Sequence, residues 1–275
     1  MRTCIIDIET VPRGEFTPVD IPEPDYTEIK ASSRLKDPIK IKEDISRKTE
    51  KARTEYEIAI STGMKEQEEQ FKRRSLNDKV NQIVSISVKI DSNPVQSFTV
   101  SDEVLLLHHF CEFMIGSVPD SFKGFLWLFH NGVGFDIPVL RSKLLRQSKS
   151  DSTGLIQHLL RDPFFLPEGS KYPHKFIEYK PVEQQSAPLV FDFMYHLPGT
   201  DARFVDKEGD TCTGKRLDHI LKYYGLQGKV DVTGADVYDL YNDGRIDLIS
   251  EYNKDEVQQM YDLAQLVLPC MWWYR

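Results

Sequence analysis

Cysteine is scarce in these 275 residues: four in all, Cys4, Cys111, Cys212 and Cys270, with no close pair. Such spacing excludes a zinc ribbon and a disulfide framework, and it fits a reducing compartment, so a cytoplasmic location is expected. No apolar run approaches the ~20 residues of a bilayer span, and no signal-peptide pattern precedes Asp7. An excess of positive charge is also missing. The chain has 35 Lys and Arg against 43 Asp and Glu, a net charge of −8, which argues against broad non-specific affinity for duplex nucleic acid. The Asp-x-Asp-x-Asp-Gly spacing of a calcium loop is absent. Gly209–Lys215 opens like a phosphate-binding loop. However, Arg216 stands where a Ser or Thr hydroxyl is needed and no apolar strand precedes it, so the segment reads as a turn leading into a helix at 216–224. The pair His108-His109 lies on an amphipathic helix with no other ligand type nearby, which leaves it without a metal role.

What is present describes one enzyme-sized α/β domain over residues 1–275, since this length buries a substantial core and 40% apolar residues is ordinary for a globular chain. Residues 2–8 read as a core strand, followed by a Pro-rich loop. Asp37-Pro38 opens a long charged segment with Ile41, Ile45, Ala52, Tyr56 and Ala59 at helical spacing. Gly63 is expected to interrupt it, and the mixed charges mark a helix or helical hairpin with a solvated face. This charged helical insertion spans about 16–80. Val84, Ile86, Val88 and Ile90 alternate as in a half-buried strand, with Ser97–Val100 as hairpin partner. A helix begins at Ser101-Asp102-Glu103, carrying Leu106, Phe110 and Met114 inward. Phe125–Phe129 is a strand, a helix covers 137–147, a loop-rich insertion covers about 150–188, and Leu189–Phe191 is a further strand. Strands alternating with helices, with acids at strand ends, predict a mixed sheet flanked by helices.

Two short pieces carry chemistry. Asp7-Ile8-Glu9-Thr10 closes the apolar run Cys4-Ile5-Ile6. Side chains alternate along a strand, so Asp7 and Glu9 share a face, where two carboxylates repel unless a cation lies between them. The second piece is Phe129-His130-Asn131-Gly132-Val133-Gly134-Phe135-Asp136. Asp136 offers a third carboxylate, and hard oxygen ligands suit Mg²⁺ or Mn²⁺. It equally reads as a helix cap, with Pro138 in the first turn and Ile137, Leu140 and Leu144 as the buried stripe.

Together and in this order, Asp-Ile-Glu-Thr and Phe-His-Asn-x-x-x-Phe-Asp resemble the DEDD superfamily of 3′–5′ exonucleases. The likeness is greatest to the proofreading exonuclease domain of family B DNA polymerases and its stand-alone relatives, many of them in bacteriophages. Arg216–Leu226 looks like the helix and turn before that family's third motif, a Tyr followed four residues later by Asp. Here the chain reads Glu251-Tyr252-Asn253-Lys254-Asp255-Glu256. Residues four apart share a helix face, so Tyr252 projects with Glu256, while Asp255 lies about 100° away. Val257, Met260, Tyr261 and Ala264 read as the buried stripe and favour Glu256 as the last ligand, with Asp255 the alternative.

The resemblance implies an RNase H-like fold and hydrolysis of single-stranded DNA from its 3′ end to nucleoside 5′-monophosphates. It implies two divalent cations, Mg²⁺ or Mn²⁺, held by Asp7, Glu9, Asp136 and Glu256, with Tyr252 orienting the attacking water. Thr10, Asn131 and Phe135 match positions near the terminal nucleotide, and Asp192 matches a structural acid. Outside these motifs Lys171, Tyr172 and Lys175 interleave basic and aromatic side chains, as a strand-binding surface does. The same pattern also describes a surface loop whose aromatics pack beneath it. A DNA polymerase or another replication or recombination protein is the partner class implied, in replication, repair or proofreading. Two other readings stand beside this one: a catalytically weakened protein that binds single-stranded ends, and an exoribonuclease of the same superfamily.

Overall fold

The computed structural model describes residues 2–34, 36–118, 125–161, 189–197, 203–205, 211–213, 216–228 and 232–270. They form two compact units: Met1–Val11 with Ser75–Arg275, and Pro12–Arg74.

The first unit is built on a five-stranded mixed sheet in the order β3-β2-β1-β4-β5. Its strands are β1 (Arg2–Pro12), β2 (Asn81–Ile90), β3 (Gln96–Thr99), β4 (Phe125–Phe129) and β5 (Leu189–Asp192). β2 and β3 are an antiparallel hairpin with Ile86 opposite Phe98. β4 runs parallel to β1, pairing Leu128 with Ile5, and β5 runs parallel to β4, pairing Asp192 with Phe129. Strand alternation sorts β1 onto two faces. Cys4, Ile6 and Ile8 join a core with α2 (Glu103–Ser117), α3 (Asp136–Gln147) and α4 (Leu155–Leu159). Ile5 joins the opposite core with α6 (Leu217–Tyr223) and α8 (Ile246–Val267). Val11 packs with Ile249 and Tyr252 of α8 and with Val237, the first residue of α7 (Val237–Asn242). This mixed sheet flanked by helices is the α/β arrangement expected.

Helix starts follow their capping residues. Asp102 accepts from the backbone N–H of Val104 and Leu105 at 2.8 and 3.2 Å, which fixes the start of α2. A short helix α5 (Phe193–His196) follows β5, with Asp192 accepting from Met194 N at 3.0 Å. Thr211–Thr213 is not the turn expected there. It is a strand, β7, antiparallel to β6 (Arg203–Val205). The run Thr-Cys-Thr suits a strand, and its neighbouring glycines obscured that in the sequence.

The second unit is α1 (Pro38–Lys72) with the chain of Pro12–Asp37 laid along it. Asp37 caps α1 through Ile39 N, and Pro38 occupies its first turn. The expected interruption at Gly63 does not occur; α1 is a single 35-residue helix. Gly63 instead lets Ile21 lie close against the helix, since a Cβ there would come within 2.7 Å of Ile21 Cδ1 and displace that side-chain tip. The unit begins and ends at Pro12 and Arg74, a few residues before the bounds expected for the insertion. Among the described residues no helix is long and apolar enough to cross a membrane.

Candidate metal centre

On the face of β1 that meets α8, apolar contacts give way for one stretch to acids. Ile5 packs with Val257 and Met260, and Val11 packs with Ile249 and Tyr252. Between them lie Asp7 and Glu9, and α8 places Glu256 against this pair. One ligand oxygen from each of Asp7, Glu9 and Glu256 lies within 4.8 Å of the others. Glu256 is buried and Asp255 is exposed, so of the two acids left open by the sequence it is Glu256 that joins the cluster. The helical stripe of Val257, Met260 and Ala264 is the cause, since burying it turns position 256 inward and 255 outward.

Asp136 reaches β1 from the start of α3. It is the first residue of α3 rather than its cap, a place taken by Phe135, and its Oδ1 accepts from Ile8 N at 3.1 Å. Burial, and then the neighbouring Asp7 charge, push its carboxyl well above the ordinary carboxylate range. Asp136 is not one of the three acids that converge within 4.8 Å. It stands beside Asp7 as a fourth carboxylate held by the backbone of the same strand.

Tyr252 is nearly buried. Burial, followed by the charges of Glu9 and Asp7, drives its phenol pKa upward. Its hydroxyl therefore stays protonated at neutral pH and acts as a hydrogen-bond donor or acceptor, not as a base.

Two further residues complete the setting of Asp7. Asn253 Nδ2 donates to Asp7 Oδ2 at 2.6 Å, and Ser85 Oγ on β2 donates to Asn253 Oδ1 at 3.1 Å. Both are fully buried, and this relay fixes the orientation of a first carboxylate from behind. Sequence reading missed them. Asn253 lies next to Tyr252 in the motif, but its partners are 246 and 168 residues away.

The remaining expected residues are dispersed. Strand alternation turns Thr10 away from Asp7 and Glu9, and its hydroxyl donates to Ser75 O at 2.8 Å. Asn131 adopts a left-handed backbone, φ 64°, at the turn after β4. Asp192 stabilises that turn by accepting from Asn131 N at 2.8 Å and Val133 N at 3.0 Å, which gives it the structural part expected. Gly132 is required there, because a Cβ would overlap the Phe129 ring. Phe135 packs against the core under α3. Lys171, Tyr172 and Lys175 lie outside the described residues, as do the rest of the 163–188 stretch and Met271–Tyr274.

Asp7 and Glu256 line an open cleft of about 720 Å³ with His130, Arg216, Asp218 and the turn Val232–Ala235. Arg216 pairs with Asp218 through Nε and Nη2, at 3.1 and 3.2 Å. A guanidinium beside a group of carboxylates gives the cleft one fixed positive group, suited to a phosphate oxygen. In the sequence Arg216 marks only the start of a helix, with nothing local to assign it to a site.

The donor set fits a hard divalent cation. It consists of oxygen atoms only, gathered with one sign of charge at a cleft wall, with an amide orienting one of them.

Comparison with known proteins bears on the part of the chain that supplies Glu256. Residues 208–265 match a family described as a predicted 3′–5′ exonuclease related to the exonuclease domain of PolB. No curated protein matches the chain. Among solved structures, a family B DNA polymerase from the hyperthermophilic archaeon Pyrobaculum calidifontis aligns with 98% of this chain at 18% identity and a TM-score of 0.47. The chain spans 24% of that polymerase. The relationship found over residues 208–265 is thus to a nuclease domain.

Proposed function

We propose that this chain is a metal-dependent 3′–5′ exonuclease of the DEDD type, one exonuclease domain over residues 1–275 into which the compact unit Pro12–Arg74 is inserted. Its substrate is the 3′ end of single-stranded DNA and its products are nucleoside 5′-monophosphates. It resembles the stand-alone relatives of polymerase proofreading domains, bacteriophage proteins among them, and its place of action is the cytoplasm, that of the host if phage-encoded. Replication, repair or recombination proteins are the partners such an activity serves. The observation that carries the reading is the convergence of Asp7, Glu9 and Glu256 within 4.8 Å, with Glu256 inside the segment related to PolB-type exonucleases.

Mg²⁺ or Mn²⁺ bound by these carboxylates, with Asp136 beside Asp7, would supply Lewis-acid polarisation of the scissile phosphodiester and lower the pKa of the attacking water. The chain's own residues do the rest. Asn253 holds Asp7 in one orientation. Tyr252, kept protonated beside Glu9 and Asp7, offers its O–H to orient the attacking water. Arg216 meets a non-bridging phosphate oxygen, while Asp218 keeps its guanidinium in place. The acids and this guanidinium together favour a terminal phosphodiester that arrives with its own cations.

The test is digestion of 5′-labelled single-stranded DNA with Mg²⁺, Mn²⁺ or EDTA, beside matched RNA. The expected result is a ladder shortening from the 3′ end, abolished by EDTA, by Asp7→Ala and by Glu256→Ala, and retained in Asp255→Ala. Preference for RNA would move the substrate to the exoribonuclease class. Absence of cleavage of either polymer with either metal would sink the enzyme reading and leave end binding in its place.

A further inference from the structure

Charge in the Pro12–Arg74 unit is segregated along its length. Residues 14–28 carry five acids and no Lys or Arg, and residues 54–69 carry five acids and one Lys. Residues 29–53 carry nine Lys and Arg against four acids, a local charge of +5 in a chain of −8.

The fold brings like to like. Gln67 pairs with Val19 through both N–H and C=O, at 2.7 and 3.2 Å, and Tyr56 donates to Ile21 O at 2.8 Å, so the acidic loop lies on the acidic half of α1. Further along, Lys48 Nζ donates to Lys30 O at 3.1 Å, and Ser32 N donates to Asp44 Oδ2 at 2.9 Å. Asp44 also takes Arg47 at 2.7 Å, and these contacts draw its carboxyl down to about 2. The basic loop is thereby held against the basic half of α1. Lys30, Arg34, Lys36, Lys40, Lys42 and Arg47 are all exposed around this end.

Helix stability does not account for the pattern. The N-terminal end of a helix carries the positive pole of its dipole and favours acids; beyond the cap Asp37 the first turn of α1 has none, and Lys40 and Lys42 stand at this end instead. Mutual repulsion among these cations is a further cost, relieved when a polyanion binds.

We propose that this end of the Pro12–Arg74 unit, around the start of α1, is a nucleic-acid-binding surface that holds the phosphate backbone independently of sequence. Residues 29–53 contain no Phe, Trp or Tyr, and the neighbouring Tyr26 ring is covered by the Arg53 guanidinium, 5.5 Å from its centroid, so the contacts offered are to phosphate. The choice of nucleic acid over an acidic protein rests on the proposed function. A second copy of this chain is the rival occupant, because the acidic stretches 14–28 and 54–69 would complement the basic end.

The test uses the full chain in EDTA, which prevents turnover. Binding of a labelled 30-nucleotide single strand and of a 30-base-pair duplex is measured by anisotropy from 50 to 200 mM salt. Arg34→Gln/Lys36→Gln/Lys40→Gln is compared with Lys79→Gln/Lys149→Gln/Arg161→Gln, three exposed cations of the other unit. Three lost phosphate contacts should lower the slope of log K against log salt by roughly 2–3 and weaken binding roughly tenfold or more at 50 mM, with little change in the control triple. In Mg²⁺, cleavage of a tetranucleotide should be the same in wild type and the Arg34/Lys36/Lys40 variant. Asp7→Ala should lose that cleavage while its 30-mer binding keeps the wild-type salt slope. Inactive wild type with an intact binding difference would therefore fault the active-site reading and not this one. Equal affinities and slopes for the two triple variants would overturn the proposal. So would sedimentation showing a dimer at 50 mM salt that only the Arg34/Lys36/Lys40 variant loses, without a change in nucleic-acid binding.

Discussion

Among the described residues of the sheet-bearing unit, two groups of charge withdrawn from solvent are built in opposite ways. Under α2 and α3, Lys143 and Glu103 are both nearly inaccessible and meet at 3.3 Å. Glu103 also accepts from Ile83 N at 2.7 Å, and Lys143 donates to Asn81 O. Opposite signs and backbone partners close that group on itself. At the cleft, Asp7, Glu9 and Glu256 bring one sign together, with Asp136 beside them. A buried charge that serves the fold is matched inside the fold, whereas acids gathered at a cleft wall are arranged for something that enters.

Breaking the matched group should give the largest loss of stability. Lys143→Ala leaves Glu103 buried without its cation and should cost about 3–5 kcal/mol in urea unfolding, with Lys143→Met/Glu103→Gln recovering much of it. If the double variant is no better than the single, the pair is not self-contained. At the cleft the same kind of deletion should instead act on turnover. Asp7→Ala or Glu256→Ala should remove several kcal/mol of transition-state stabilisation, roughly 10³-fold in kcat/KM at ~1.4 kcal/mol per decade, with little loss of fold. A smaller effect is expected from Asn253→Ala, which frees Asp7 from its orienting amide. Mn²⁺ titration of that variant should show affinity weaker by about 10–100-fold, and unchanged affinity would remove Asn253 from the site.

The smallest effect sharpens the contrast. Asp136 has its folded pKa raised, so its contribution to stability is complete below the ordinary carboxyl range and is lost as pH rises through the raised value. Metal-free protein should therefore melt lower at pH 8 than at pH 5, and Mg²⁺ should offset the difference. Asp136→Asn, which keeps an acceptor for Ile8 N, should raise the metal-free melting temperature at pH 8 by about 2–4 °C for each kcal/mol of repulsion removed. Below the ordinary carboxyl range the sign reverses. Asp44 has its carboxyl lowered to about 2, and the contacts it makes are lost as pH falls through that value.

Much of this was legible from local pattern. The period-2 alternation of β1 put Asp7 and Glu9 on one face, and the buried stripe of α8 put Glu256 rather than Asp255 inward, because both signals repeat within a few residues. The order of β1, β4 and α3 followed from apolar runs and their capping acids. What the sequence did not disclose depends on contacts made at long range. Asn253 has no local signal, since its value comes from Asp7 and Ser85. Gly63 reads as a helix breaker until Ile21 is seen to occupy the space beside it. Arg216 gains its place only when the Val232–Ala235 turn folds up beside it.

The unbroken course of α1 also constrains how the Pro12–Arg74 unit can vary among relatives. Each residue added to a helix advances it ~1.5 Å and turns it ~100°, so two extra residues would swing everything beyond them nearly to the opposite side. Seven would add ~10.5 Å and return the same side to within about 20°. The chain lying alongside must keep pace, and since no residue spans more than ~3.3 Å it needs at least three more. Insertions and deletions here should therefore come in coupled sets, about seven in α1 matched by three or more in Pro12–Asp37. Variants of different length would then keep the same side of the helix against the chain beside it.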